Sequence, residues 1–172
     1  MRLIRKRLKW DLTCIVISKN MKMHIFVNLK KQKGKVNVMQ QLSVFIENRI
    51  GSLSKVTHAI SENGINLRAI SAFDTPDYCV LRLVVDQAEL AKSILIEKGF
   101  AVKIADVLAI ELQDKPGELD HVLELLADYE LSINYIYSCV LRGDKSPLMV
   151  MNVSDMHKAE HVLELNGITI SE

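Results

Sequence analysis

Glu47-Asn48-Arg49-Ile50-Gly51-Ser52-Leu53 and Asn63-Gly64-Ile65-Asn66-Leu67 decide the reading of this chain, because both patterns return further along it. A shift of 66 positions brings Gly51 onto Gly117, Leu53 onto Leu119, Val56 onto Val122, Ile60 onto Leu126, Ile65 onto Leu131 and Leu67 onto Ile133. Two extra residues enter at a turn within Leu141 to Ser146, and from there the shift is 68. Ala91 then meets Ala159, Ile94 meets Val162, Leu95 meets Leu163 and Gly99 meets Gly167. A register kept this long, with one insertion at a turn, marks a duplicated unit of roughly 65 residues.

Hydrophobic periods within the first unit change in a definite order. Gln41 to Glu47 is β-rich and reads as a strand. Leu53, Val56, Ala59 and Ile60 recur at helical spacing, and Asn63-Gly64 supplies the left-handed residue that ends a helix. Ile65 to Phe73 alternates, Asp74-Thr75-Pro76-Asp77 turns, and Tyr78 to Val85 is a further strand. Asp86, with Glu89 three residues on, has the form of a capping box opening a helix that runs to Gly99. Phe100 to Ile104 closes the unit. The second unit repeats the order as strand 105–112, helix 116–129, strands 131–140 and 147–153, helix 154–166 and strand 167–171.

The expected fold is α+β: two tandem ferredoxin-like βαββαβ units, each a four-stranded antiparallel sheet with both helices on one face. On the other face the expected residues are Asn66, Arg68, Ile70 and Ala72 from one strand, and Tyr78, Val80, Arg82 and Val84 from its neighbour. That surface is half apolar and calls for a partner. A unit this small also buries only about 60% of its unfolded surface when alone. Pairing of units follows on both grounds. The expected division is a basic extension over 1–38, a first domain over 39–104 and a second over 105–172, with no linker between the last two.

The formal charge of +1 hides an asymmetry. Residues 1–38 hold 11 of the 22 Lys and Arg against the single acid Asp11, while residues 39–172 hold 11 bases against 20 acids. The basic arm is read as lying outside the working protein, which is expected to begin at Met39; contact with nucleic acid or anionic lipid is the other reading. Its apolar stretch Leu12 to Ile17 is shorter than the roughly 7–15 residues of a secretory core. No apolar run reaches the roughly 20 residues of a membrane-spanning helix. Cys14, Cys79 and Cys139 are odd in number and far apart, as expected of reduced thiols in a cytoplasmic protein.

Fold alone gives no function, so the residues must decide. The third strand lacks the stacking aromatics and basic stretch of an RNA-recognition sheet. The first loops, Asn48-Arg49-Ile50-Gly51 and Asp114-Lys115-Pro116-Gly117, lack the CxxC of a metal carrier. There is no phosphate-binding glycine motif. No Ser, Cys or Lys has the setting of a nucleophile, and His58 and His121 have no fixed partner, so no enzyme activity is expected. His157 and His161 share metal-ligand spacing but are expected on the solvent side of their helix, without a third ligand. No metal and no cofactor is expected.

The two motifs, doubled in register over residues 41–171, resemble the ACT family. Glu47 to Leu53 is similar to that family's loop between first strand and first helix, and Asn63 to Leu67 to its opening of the second strand. Asp114-Lys115-Pro116-Gly117-Glu118-Leu119 and Leu131-Ser132-Ile133-Asn134 repeat them. The resemblance implies a non-catalytic regulator that binds an amino acid or similar metabolite where domains pair, as a homodimer or with a metabolic enzyme. It implies a ligand site drawn from Asn48, Arg49, Ile50, Gly51, Ser52, Leu53 and Asn66, with Asp114, Gly117 and Leu119 in the second unit. The alternative is a ligand-free interaction subunit. The residue chemistry agrees with a zwitterion: Gly51 exposes helix N–H groups to a carboxylate, and Asn48 and Asn66 both donate and accept. The chain departs from the pattern at Ile50, where the family usually has proline, and in Asp114, Ser132 and Glu130, which stand for Asn48, Asn66 and Gly64. The two sites are therefore expected to be unequal, the first being the stronger.

Overall fold

The computed structural model describes residues 38–139 and 148–171. The elements are β1 (Met39–Glu47), α1 (Ser52–Glu62), β2 (Leu67–Asp74), β3 (Tyr78–Val85), α2 (Ala88–Glu97) and β4 (Ala101–Glu111). There follow α3 (Glu118–Asp128), β5 (Ile133–Cys139), β6 (Leu148–Val153), α4 (Met156–Leu165) and β7 (Ile170–Ser171). The basic arm through Asn37 and the inserted turn around Gly143 lie outside the described residues.

The βαββαβ order holds in both repeats, and the strands expected separately over 100–104 and 105–112 are one strand, β4. Its first part pairs with β1, from Ala101 against Phe45 to Val107 against Met39. Its last part pairs with β6 and β7, from Leu108 against Met151 to Glu111 against Leu148. With no Pro or Gly between Val102 and Leu112, nothing interrupts the ladder. The result is a seven-stranded sheet in the order β2-β3-β1-β4-β6-β5, with β7 also on β4, and the pairings are antiparallel.

β4 also fixes the side on which the helices lie. Val102 and Ile104 pack in the first core with residues of α1 and α2, among them Val56, Ile60 and Leu95. Leu108 and Ile110 sit in the second core with Val122, Leu126 and Leu163 of α3 and α4. All four β4 residues have the same parity, so both helix pairs cover the same face of this strand. The opposite face carries a third cluster: Met39, Ala69 and Val84 from the first repeat with Val107, Ala109 and Val150, flanked by Tyr135, Tyr137 and Cys139. Although β2 and β5 end opposite sides of the strand order, they approach and line one cleft. The sheet therefore curls on its helix-free side, and part of the face expected to seek a partner finds it in the same chain.

One expectation about that face is corrected. β2 has a bulge between Leu67 and Ala69, so the residues beyond it point oppositely to the plain alternation. Ala69, Ser71 and Phe73 lie opposite Val84, Arg82 and Val80 on the helix-free face, while Ile70 and Ala72 lie opposite Leu83 and Leu81. The bulge pushes Arg68 out of the ladder. β5 has the same irregularity between Ile133 and Tyr135, so the duplication reaches this detail.

Asp86 is not the N-cap of α2; Gln87 is, without a side-chain cap bond. The Asp86 carboxylate instead accepts from the Asn66 backbone N–H at 3.1 Å, and its own N–H donates to the Asn66 carbonyl at 3.3 Å. Ser154 repeats this clasp on Ser132. The cap of α4 is Asp155, which accepts from the Lys158 N–H.

Glu130 holds the left-handed position that Gly64 holds in the first repeat, at φ 56 against 69. A side chain there costs about 1–2 kcal/mol, less the greater flexibility glycine gives the unfolded chain. Glu130→Gly is expected to stabilise the chain by about 0.5–1 kcal/mol in urea denaturation. A loss of stability would show that the strain is relieved elsewhere.

Candidate ligand-binding site

Gly51 and Gly117 start α1 and α3 from the same left-handed conformation, φ 83 and 90, and neither helix start has a side-chain cap bond. A Cβ at either glycine would meet nothing within 4 Å, so the requirement is the backbone angle rather than space. Both helices thus present first-turn N–H groups beside an exposed loop, the arrangement that receives an anion.

The first loop is tied to the β2–β3 turn. Asn48 donates from its side chain to the Thr75 carbonyl at 3.4 Å, and from its backbone to Asp77 at 3.5 Å. Arg49 pairs with Glu47 at 3.2 Å in solvent. Ile50 is wholly exposed at 106%, Leu53 is 43% exposed, and Ser52 is half-buried. In the second loop Asp114 and Gly117 are exposed, and Leu119 is 36% exposed. Ile50 on the first loop, and Leu53 and Leu119 in the first turns of α1 and α3, leave apolar surface uncovered in one chain.

Asn66 lies elsewhere. Its backbone is clasped by Asp86, and its exposed side chain makes no hydrogen bond among the described residues. The loop Asn48–Leu53 meets the other end of β2, where Thr75 follows Asp74. The eight residues of β2 separate the two ends, a run of roughly 26 Å at 3.3 Å a residue. Within the first repeat the loop and Asn66 do not come together. Two shallow clefts, of about 240 and 190 Å³, flank β2 near Arg68, and the residues of neither loop line them.

A polar cluster that the sequence reading missed joins the repeats on the helix-free face. Gln41 is fully buried. Its Nε2 donates to the Tyr135 hydroxyl at 2.9 Å and to Ser43 Oγ at 3.3 Å. The Tyr137 hydroxyl donates to Gln41 Oε1 at 2.9 Å. The Arg82 guanidinium stacks over the Tyr135 ring, 3.9 Å from its centre. The available signal was the Tyr135–Tyr137 alternation about Ile136; Gln41 did not stand out in a strand that also carries Gln40, Ser43 and Glu47.

Burial pushes the Tyr137 phenol far above its ordinary value, with Tyr135 and Cys139 adding and Arg82 opposing. Burial also raises the Cys139 thiol. The folded chain holds the Tyr137 proton more tightly than the unfolded chain, whose tyrosine titrates near 10.0. The stability from this group is complete below that value and declines as pH rises past it. Denaturation midpoints measured across that range are expected to fall, and Tyr137→Phe is expected to flatten the decline. An unchanged slope in the variant assigns it to another group.

Among the described residues no group of three or more His, Cys, Asp or Glu side chains is placed to hold a metal, and no helix is long and apolar enough to cross a membrane. His157 is exposed, whereas His161, expected in solvent, is half-buried and partnered.

No curated protein matches the chain. Among solved structures it is similar to protein BT0572 from Bacteroides thetaiotaomicron, with 32% identity and a TM-score of 0.73 over 79% of this chain and 93% of that one. It shares its fold with the ligand-free regulatory subunit of aspartate kinase from Thermus thermophilus, at 16% identity and a TM-score of 0.55 over 76% and 93% of the two chains. The aspartate kinase of Clostridium acetobutylicum matches at 11% identity and a TM-score of 0.51, over 76% of this chain and 35% of that one. The profile of the ACT domain pair matches residues 37–171, both repeats from the start of β1 to β7, and the chain belongs to that family.

Proposed function

We propose that this chain is a non-catalytic regulator in which an amino acid or similar small metabolite binds where ACT repeats of two chains pair. The carrying observation is the duplicated helix start without a side-chain cap at Gly51 and Gly117, each beside an exposed loop and a partly exposed leucine, Leu53 or Leu119. The ligand carboxylate takes the α1 N–H groups from Leu53 onward, since the Ser52 N–H donates to the Arg49 carbonyl at 3.1 Å, and Asn48 and the unengaged Asn66 amide complete its polar shell. The division between repeats falls at Ile104 and Ala105, inside β4. Occupancy passes to a metabolic enzyme, a role supported by the Thermus thermophilus neighbour, which is a regulatory subunit of aspartate kinase. The site works in the cytoplasm, without metal or cofactor, and involves neither nucleic acid nor membrane.

A screen of melting temperature against the twenty amino acids tests this directly. A ligand at 100 times its Kd adds about 2.7 kcal/mol of stability, a shift plain in any thermal assay. The second reading is a subunit that pairs with an enzyme and holds no ligand. It is favoured by the Asn48 side chain being already engaged on Thr75. A flat response across all twenty compounds, with pairing intact, selects it.

A further inference from the structure

We propose that the helix-free face of the first repeat holds a separate ligand site, for an apolar carboxylate without an ammonium group. Register places Lys103, Ser43, Arg82 and Ser71 in one row across β4, β1, β3 and β2, side chains on the same face. Two cations and two hydroxyls therefore stand side by side. The row above holds Ala105, Gln41, Val84 and Ala69, and the row below Ala101, Phe45, Val80 and Phe73. None of the twelve is acidic.

Arg82 is the decisive residue. Its Nε is buried from solvent and has no hydrogen-bond partner, and no ion pair forms on it among the described residues. Tyr135 covers one side of the guanidinium and offers only its ring. The Tyr135 hydroxyl accepts from Gln41, which leaves its own proton to donate. Arg82 as a whole is half-buried, but a buried Nε–H left without an acceptor is costly, and an anion that brings two acceptor oxygens removes that cost. Below the row, Phe45 and Phe73 are 44% and 61% exposed on either side of Val80. They form an apolar floor next to the cations. The combination takes a carboxylate head with an aryl or branched aliphatic body. These rows offer cations and hydroxyls but no carboxylate, and the next acid on this face, Glu47, is paired with Arg49 at 3.2 Å, so the site rejects the ammonium of an amino acid. The two proposed sites thus differ in ligand class.

The test uses the full chain with 4-phenylbutyrate as probe and 4-phenylbutylamine as its cationic counterpart, by titration calorimetry and isotope-edited NMR. The acid is expected to bind and to shift resonances of Phe45 and Phe73 rather than those of Gly51 and Asn66, while the amine does not bind. Arg82→Gln is expected to weaken binding by about tenfold or more. Phe73→Asp, at an exposed edge position where the fold tolerates the change, sets a carboxylate beside the row and is expected to do the same. Equal affinity for acid and amine, undiminished binding in Phe73→Asp, or shifts confined to the Gly51 loop would each overturn the proposal. So would Phe73→Asp dissociating paired chains while phenylbutyrate fails to compete with pairing, which would assign the face to a second copy.

Discussion

Leu83→Ala and Leu126→Ala are each expected to destabilise the chain by about 3 kcal/mol, and to lower one shared unfolding transition rather than two separate ones. Leu83 on β3 and Leu126 on α3 are both fully buried, in the first and second cores respectively. Truncation removes the transfer energy of the lost atoms and leaves a cavity that surrounding side chains fill only in part. The coupling follows from β4. Its Val102 and Ile104 complete the first core, its Leu108 and Ile110 the second, and no residue between them leaves the ladder. The third cluster and the bonds from Gln41 to Tyr135 and Tyr137 add contacts that neither repeat retains alone. Urea denaturation followed by circular dichroism reads both the midpoint and the number of transitions. Two transitions, one moved only by Leu83→Ala and the other only by Leu126→Ala, would mean that the repeats unfold independently and that β4 transmits nothing.

The fold was legible because its signals are local and doubled. Helical spacing at Val56, Ala59 and Ile60, the Asn63-Gly64 stop and the alternation of Tyr78 to Val85 each act over a few residues, and the second repeat states them again. What failed depended on a partner distant in sequence. The bulge at Leu67 and Ala69 reverses the faces of β2, and alternation counted from Ile65 cannot register a residue that leaves the ladder. Asp86 reads as a cap because Glu89 follows it, yet its carboxylate is taken by the Asn66 N–H twenty residues away. Gln41 bonds tyrosines more than ninety residues on. The loops were legible as motifs, but whether Asn48 and Asn66 share a ligand depends on which repeats face each other, and sequence carries no such geometry.

That geometry gives the ligand-site prediction its form. Asn48→Ala and Asn66→Ala are each expected to weaken amino-acid binding by about 1–3 kcal/mol, or roughly 5- to 150-fold, the usual cost of an unsatisfied buried polar partner. Neither should alter the melting temperature much, since Asn66 has no side-chain bond to lose and Asn48 only the 3.4 Å bond to Thr75. Asp114→Ala should matter less, because Ser132 stands where the second repeat would need the strand amide. The sharper test mixes the two weakened chains. The loop and Asn66 lie at opposite ends of β2, so a site that uses both draws one from each of two chains. A pair made of one Asn48→Ala chain and one Asn66→Ala chain then contains one site with both defects and one with neither. Random exchange of equimolar chains should restore about a quarter of the sites to full strength. Titration calorimetry of the mixture should therefore show a tight fraction that neither variant shows alone. If mixing restores nothing while both single variants lose affinity, the two residues serve one chain's own site. If neither variant loses affinity, the ligand lies away from this loop and strand altogether.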